Sequence, residues 1–427
     1  MSYRILAEDR TVSSDTWDTG LNNNDIIIGP PGSGKTRGYV IPNILQCSES
    51  MIIADTKGAL RRQVGGVLER TGYRIHEINL TDCHASNIGY NPLRNIRYDS
   101  ERGHYREQDI LRVAACLVPL EIISDPFWDH AARMLLETLL GYLLECQPQE
   151  EHTLSSAVLL LSEMGGGLTG RLLDEYAAIA PDSFAAVHWK LYKSMTQADR
   201  TQACIQGMLA ERLSTLTFDG VADLFTRSEQ VDFASLGRER IALFLNISDT
   251  DRSLDSLAAL LYTQAIQALC AEADRSLKHR LDIPVRFFLD DFAANVTIPD
   301  FDKIISVIRS REISVSIVLQ SLSQLESMYG HPRAQTILGG CDNMLYLGGQ
   351  DVETAQYISV KANKPASSIL NMPLDAAWLF TRGADPQQVR KYALQQHPRY
   401  PELPEAPISQ PSIVYEGGWE AEPDCPF

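Results

Sequence analysis

The chain has 427 residues, 44% of them hydrophobic and 22% charged, with a formal net charge of −17. That composition suits a globular protein with a large core and more than one structural unit, and the acidic balance works against a broad nucleic-acid-binding face, so any DNA contact is expected to be local. No apolar run approaches about 18 residues, the opening MSYRILAEDR has no apolar signal segment, and the eight cysteines include no C-x-x-C pair; these features argue against a membrane span, a secretory route, a disulfide framework and a zinc site, and a cytoplasmic setting is expected.

Residues 1–24 read as a lead-in. Ile26, Ile27 and Ile28 then form a β-branched run that suits a buried parallel strand ending at Gly29. The stretch GPPGSGKT meets the pattern G-x-x-x-x-G-K-[ST] through Gly29, Gly34, Lys35 and Thr36. With a helix following, the amides of Gly32, Ser33, Gly34, Lys35 and Thr36 would point inward beside a positive helix N-terminus, a setting for a triphosphate. Lys35 would reach the β- and γ-phosphates and Thr36 would ligate Mg2+, so ATP and Mg2+ are the expected cofactors. A glycine-rich turn without a ligand is the competing reading.

MIIAD (51–55) reads as a second buried strand, TKGALRRQVGGVLERTGY as a helix and RIHEINL as a third strand, and this alternation marks a parallel α/β sheet. From 108 to 232 the character changes: Leu135, Leu136, Leu139, Leu140, Leu143 and Leu144 share a helical stripe, and the segments around them also read as helices. This stretch is expected to be an inserted all-helical domain. Strands resume at RIALFLNIS, VRFFLDD, VSIVLQS and NMLYLGG, so residues 25–107 and 233–400 would form one discontinuous nucleotide-binding domain. From 401 to 427 the chain is acidic and proline-containing with no lysine or arginine, which predicts a disordered tail.

A phosphate loop needs an acidic partner at the end of another buried strand, and VRFFLDD supplies one. Asp290 would hold the magnesium ion through its water shell and Asp291 would orient and polarise the attacking water; an acidic turn is the alternative. The two motifs lie about 250 residues apart, which independently supports a helical insertion. VSIVLQS ends in Gln320, which could sense the γ-phosphate or the water, or simply cap a loop.

Together, GPPGSGKT, IIADTKGAL, NLTDCHASNIGYNPL, DPFWDHAARMLLETLLGYL, FFLDDFAANVTIPDFDKIISVIRSREISVSIVLQSLSQL and ILGGCDNMLYLGG resemble the cytoplasmic part of type IV secretion coupling proteins, the TraG/TraD-like conjugation ATPases, from about Asp25 to Tyr400. The resemblance implies a RecA-like motor domain of the HerA/FtsK kind, with a mainly parallel central sheet flanked by helices. It also implies an all-α domain facing DNA and its nucleoprotein substrate, and a homo-hexamer. Gly29 to Thr36 match the family's Walker A motif, Asp290 and Asp291 its Walker B motif and Gln320 its glutamine motif. Arg309 and Arg311 fall where such motors place an arginine that reaches a neighbour's ATP, and Arg309 is favoured by its spacing to Gln320.

Two departures qualify this. Family members commonly carry two transmembrane helices ahead of the motor, whereas about 24 residues precede the first strand here, so either docking at the inner face of the membrane would come from a separate anchoring subunit or other partner, or the chain is a cut-down or soluble variant. The family usually has Asp-Glu in Walker B, and Asp291 is one methylene shorter, which would slow hydrolysis. The resulting expectation is an ATPase that recruits a relaxase–DNA or protein substrate to a conjugative type IV secretion channel. A cytosolic DNA translocase unconnected to a channel, and a nucleotide-gated substrate adaptor with little hydrolysis, are the alternatives. Lys190 and Lys193 beside Trp189 and Tyr192 could touch DNA in a pore, with a solvated helix face as the other reading. Lys57 could touch DNA or phosphate, and His76, His84 and His104 show no ligand spacing.

Overall fold

The computed structural model describes residues 2–120, 125–292 and 296–404. The chain opens with a hairpin, β1 (Tyr3–Ala7) and β2 (Arg10–Ser13), and a short helix α1 (Thr16–Thr19). β3 (Asp25–Ile28) leads through the glycine-rich loop into a π-helical turn (Thr36–Val40) and α2 (Ile41–Ile44). Next come β4 (Ser50–Ala54), α3 (Ala59–Arg70), β5 (Arg74–Asn79) and a small ribbon of β6 (Tyr98–Asp99) and β7 (His104–Tyr105). Helices then follow without interruption by strands: α4 (Glu107–Leu117), α5 (Phe127–Cys146), α6 (Leu154–Ser162), α7 (Leu168–Ile179), α8 (Phe184–Met195), α9 (Asp199–Leu213) and α10 (Asp219–Thr226). The sheet resumes with β8 (Ile241–Asn246), α11 (Asp255–Arg275), β9 (Val285–Leu289), α12 (Phe301–Val307) and β10 (Ile313–Leu319). The described chain ends with α13 (Leu322–Tyr329), α14 (His331–Gly339), β11 (Asn343–Tyr346), α15 (Val352–Ala362), α16 (Ala366–Leu370), β12 (Ala376–Thr381) and β13 (Gln387–Arg390).

Nine strands form one sheet in the order β13-β12-β11-β3-β10-β9-β4-β8-β5. The seven strands expected from the sequence pair in parallel, and β12 and β13 add an antiparallel edge. The interior strands are apolar on both faces because helices cover both. Ile26 and Ile28 join the core on one side while Ile27 joins the other, as the two-residue period of a strand dictates. The larger core runs without a break from that sheet face through α11 and α4 into the leucines of α5, all six of which are buried.

Two segments depart from expectation. The lead-in is a hairpin whose Ile5, Leu6 and Ala7 are buried, and the end of the described chain is packed: Tyr400–Glu402 form a 3-10 turn whose Glu402 carbonyl accepts from Arg70 at 3.0 Å. Most of the expected acidic tail, residues 405–427, lies outside the described residues.

A buried ionic network fixes the amino ends of the central strands. Asp25 accepts from Arg4 Nε at 2.8 Å, from Asn343 Nδ2 at 2.8 Å and from the Tyr39 hydroxyl, while Arg286 lies 3.7 Å away and is itself paired with Glu49. Burial alone would raise the Asp25 carboxyl, yet the Arg4 and Arg286 guanidinium groups and the Tyr39 hydroxyl hold it below its ordinary range. Asp25→Ala leaves two fully buried guanidinium groups without this carboxylate and is expected to destabilise the fold by about 3–5 kcal/mol in urea denaturation. A loss below about 1 kcal/mol would mean that the remaining partners suffice.

Candidate functional site

The parallel strands all deliver their carboxyl ends to one edge of the sheet, and three of them converge there. β10 lies between β3 and β9, in register with both. The loop after β3, the acidic pair after β9 and Gln320 after β10 are therefore neighbours in space. The Gly29 N–H donates to the Leu319 carbonyl at 3.1 Å, which places Gln320 beside the start of the loop.

The glycine-rich loop has the backbone that its composition calls for. A Cβ on Gly29 would lie 2.6 Å from Ser33 Oγ and 2.9 Å from Leu347 Cβ, so no larger residue fits without displacement. Gly32 and Gly34 have φ of +76° and +94°, a region that L side chains rarely enter. The helix after the loop begins as a π-helical turn. Pro42 has no N–H to give to the preceding turn, which breaks the regular α-helical bonding where the turn ends.

Thr36 and Asp290, 254 positions apart, are joined by a hydrogen bond from the Thr36 hydroxyl to Asp290 Oδ2 at 2.7 Å. Lys35 folds back on the loop, donating from Nζ to the carbonyls of Gly29 (2.7 Å) and Pro30 (3.0 Å). Burial pushes the Lys35 ammonium below its ordinary pKa, and Asp291 and Asp290 oppose that shift. Asp291 adopts φ +46° and its N–H donates to Asp290 Oδ1 at 3.1 Å, a strained left-handed turn that ends the strand. Burial raises the Asp290 carboxyl to about 6, against the pull of the Thr36 hydroxyl. A hydroxyl and a carboxylate are hard oxygen donors, and a site with so few of them suits Mg2+, which draws its other ligands from phosphate and water.

The raised carboxyl carries a pH signature. A carboxylate with a higher pKa folded than unfolded costs nothing below its unfolded value near 4, and its cost grows up to the folded value near 6. Relative to Asp290→Asn, the nucleotide-free protein is therefore expected to lose on the order of 2–3 kcal/mol between pH 4 and pH 6, then stay level. Denaturation of both proteins across that range checks it; parallel curves would mean that the carboxyl is not raised.

Arg309 and Arg311 lie at the other edge of the sheet, ahead of β10. That strand has seven residues and spans roughly 23 Å, so neither guanidinium reaches the loop of its own chain. Arg311 is locked onto Asp274 by two bonds, at 2.8 and 3.1 Å. Arg309 donates to the Gly20 carbonyl at 2.9 Å, a carbonyl shared with Arg382. The aromatic pair Trp189 and Tyr192 is buried, Trp189 Nε1 donates to Asp174 at 2.8 Å and Lys193 also pairs with Asp174. These rings are core, which overturns the idea that they meet DNA. Lys57 is exposed at the carboxyl end of β4.

One neighbour of the loop was not legible in the sequence. Lys391, just after β13, donates from Nζ to the Ser33 carbonyl at 3.1 Å. It sits in no motif, and only the pairing of β12 and β13 onto the sheet brings it there.

Comparison with known proteins adds a second line. The model of the type IV secretory system conjugative DNA transfer family matches residues 2–364. Protein VirD4 of Rhizobium radiobacter is 23% identical over 343 residues, covering 80% of this chain and 48% of the relative, and VirD4 of Agrobacterium fabrum is 23% identical with 80% and 49% covered. The chain thus spans about half the length of these curated relatives. Among solved structures, the bacterial conjugative coupling protein TrwB, in a form with sulphate, superposes with a TM-score of 0.65 at 17% identity, covering 88% of this chain and 87% of that one. TrwB with a non-hydrolysable ATP analogue gives a TM-score of 0.64 at 16% identity, with 88% and 86% covered. The RecA-like P-loop fold with its mostly parallel sheet is common to this chain and the two TrwB structures.

Proposed function

Because the chain belongs to the type IV secretory system conjugative DNA transfer family, we propose that it is an ATP-binding and ATP-hydrolysing coupling protein that recruits a relaxase–DNA or protein substrate to a conjugative secretion channel and drives its transfer. The observation that carries this reading is the Thr36–Asp290 hydrogen bond, which brings Walker A and Walker B together across the whole helical segment. TrwB has been solved with ADP and Mg2+ and with an ATP analogue, which supports the same ligands here. Bound Mg2+ would offset charge on the phosphates.

The residues divide the work. The loop amides from Gly32 to Thr36 would face the phosphates, Lys35 would exchange the Gly29 and Pro30 carbonyls for them, and Thr36 with Asp290 would hold the metal. Asp291 orients the attacking water and Gln320 reports on the γ-phosphate from the tip of β10. Arg309 serves a neighbour's nucleotide in a homo-hexamer. Residues 108–232 form the substrate-facing unit and residues 25–107 with 233–400 the motor. No helix among the described residues is long and apolar enough to cross a membrane.

Turnover of ATP with Mg2+, measured with and without single- and double-stranded DNA and a candidate relaxase, together with mass in solution, tests this. DNA-stimulated hydrolysis by an assembly supports a motor. Tight ATP binding with negligible hydrolysis would favour a nucleotide-gated adaptor, the reading that the short Asp291 side chain keeps open. Asp291→Asn is expected to retain nucleotide and to lower turnover by about 10²–10⁴-fold, the range of a general base; loss of binding instead would exchange the roles of the two aspartates.

A further inference from the structure

Lys391 lies beyond the residues matched by the family model, 2–364, and reaches the glycine-rich loop through the antiparallel edge of the sheet. Its position is fixed on both sides. The Lys391 N–H donates to the Asp375 carbonyl at 2.9 Å, next to the β12–β13 pairing of Ala376 with Arg390. The following residue presses its carbonyl against the π-helical turn: a Cβ on Gly38 would lie 3.2 Å from the Tyr392 oxygen. Between these contacts the half-buried Lys391 places its ammonium on the Ser33 carbonyl at 3.1 Å.

The Ser33–Gly34 peptide is trans, and in a trans peptide the carbonyl and the amide point in opposite directions. A carbonyl held by Lys391 therefore turns the Gly34 N–H away from Lys391. The ammonium also polarises that peptide, since a charged donor on the carbonyl strengthens the amide's own donation. Lys35 has to leave the loop carbonyls to meet a phosphate, whereas Lys391 already rests on the Ser33 carbonyl behind the loop.

We propose that Lys391 is a positioning residue of the nucleotide site: it holds the Ser33–Gly34 peptide so that the Gly34 amide faces a bound phosphate, and it sets a second positive charge behind the loop. The inference rests on reading Gly29 to Thr36 as that site. It assigns a role in nucleotide retention to the last strands of the sheet.

The test uses the full chain, titrated by calorimetry with ADP and with a non-hydrolysable ATP analogue, each with Mg2+, alongside melting without nucleotide. Lys391→Met keeps the stem and removes the charge. It is expected to raise Kd for both nucleotides about five- to tenfold, the loss of roughly one charged hydrogen bond. Both suffer alike because the amide serves a phosphate they share. Without nucleotide the melting temperature should stay within about 2 °C of wild type, and Lys391→Arg should recover most of the affinity. If wild type binds ADP, Lys35→Ala does not, and Lys391→Met binds like wild type, the Lys391 role alone is overturned. It is also overturned if Lys391→Arg is as weak as Lys391→Met, or if the affinity loss comes with a matching loss of nucleotide-free stability. If wild type binds neither nucleotide, or Lys35→Ala binds both normally, the nucleotide-site reading falls and this inference with it.

Discussion

Lys35→Ala is expected to lose ATP turnover by at least about 10²–10³-fold while retaining its fold. The lysine is buried at 6% exposure, yet its ammonium touches only loop carbonyls and belongs to neither apolar core. Burial already disfavours its charge, and the two aspartates only partly offset this. Removing the ammonium therefore relieves desolvation as well as removing two hydrogen bonds, and the net change in stability stays near 1 kcal/mol. The loss falls on the triphosphate, which has no other point charge from within the loop. Phosphate release under steady-state conditions, with fluorescence titration of nucleotide, measures both effects. Undiminished hydrolysis would remove Gly29 to Thr36 from the chemistry.

Arg309→Ala should bind ATP normally and lose about 10³-fold in turnover, the lower end for an arginine finger. The geometry leaves it little to do within its own chain. It sits a full strand length from the loop, and its hydrogen bond to the Gly20 carbonyl is shared with Arg382. Arg311, by contrast, would have to give up two bonds to Asp274 before reaching anything else. A planar guanidinium that is always charged suits a developing phosphoryl charge on a neighbouring subunit. Specific activity should therefore rise with protein concentration. Mixing Arg309→Ala with Lys35→Ala, each inactive alone, should restore part of the activity, because a mixed interface can pair an intact loop with an intact arginine. A mixture that stays inactive although mixed assemblies demonstrably form would remove the trans role or show that turnover needs an unbroken ring. Activity persisting in Arg309→Ala would move the role to Arg311.

Local signals carried most of the sheet. Runs such as Ile26–Ile28 and Phe287–Leu289 are buried on both faces, so continuous hydrophobicity marked them as parallel strands wherever their partners lay in the chain. The loop and the acidic pair stood out because each is a restricted residue pattern at the end of a buried strand, and the structure places the two side by side. The edge strands did not: β13 alternates half-buried and exposed residues and is built of Gln387, Gln388, Val389 and Arg390, with little apolar content to announce it. The Arg4–Asp25 pair was equally hidden, since a lone charge beside a strand usually faces water. Trp189 and Tyr192 misled for a related reason. Three residues apart on a helix, an aromatic pair flanked by lysines reads the same whether it faces solvent or the interior, and only the packing of α8 against α5 and α7 decides.

The unbroken apolar core between the sheet and the α5 bundle limits how the two can move against each other. A hinge needs a seam where two bodies part and water enters, and opening one along α4 and α11 would expose the closely packed side chains of Ile110, Val113, Leu257 and Leu261. Any motion passed from the glycine-rich-loop edge of the sheet to the bundle is then a sliding of packed helices by small displacements, with the side chains staying in contact. The same seamlessness should make calorimetry record one melting transition for the sheet and bundle, and leave an excised 108–232 fragment prone to aggregation.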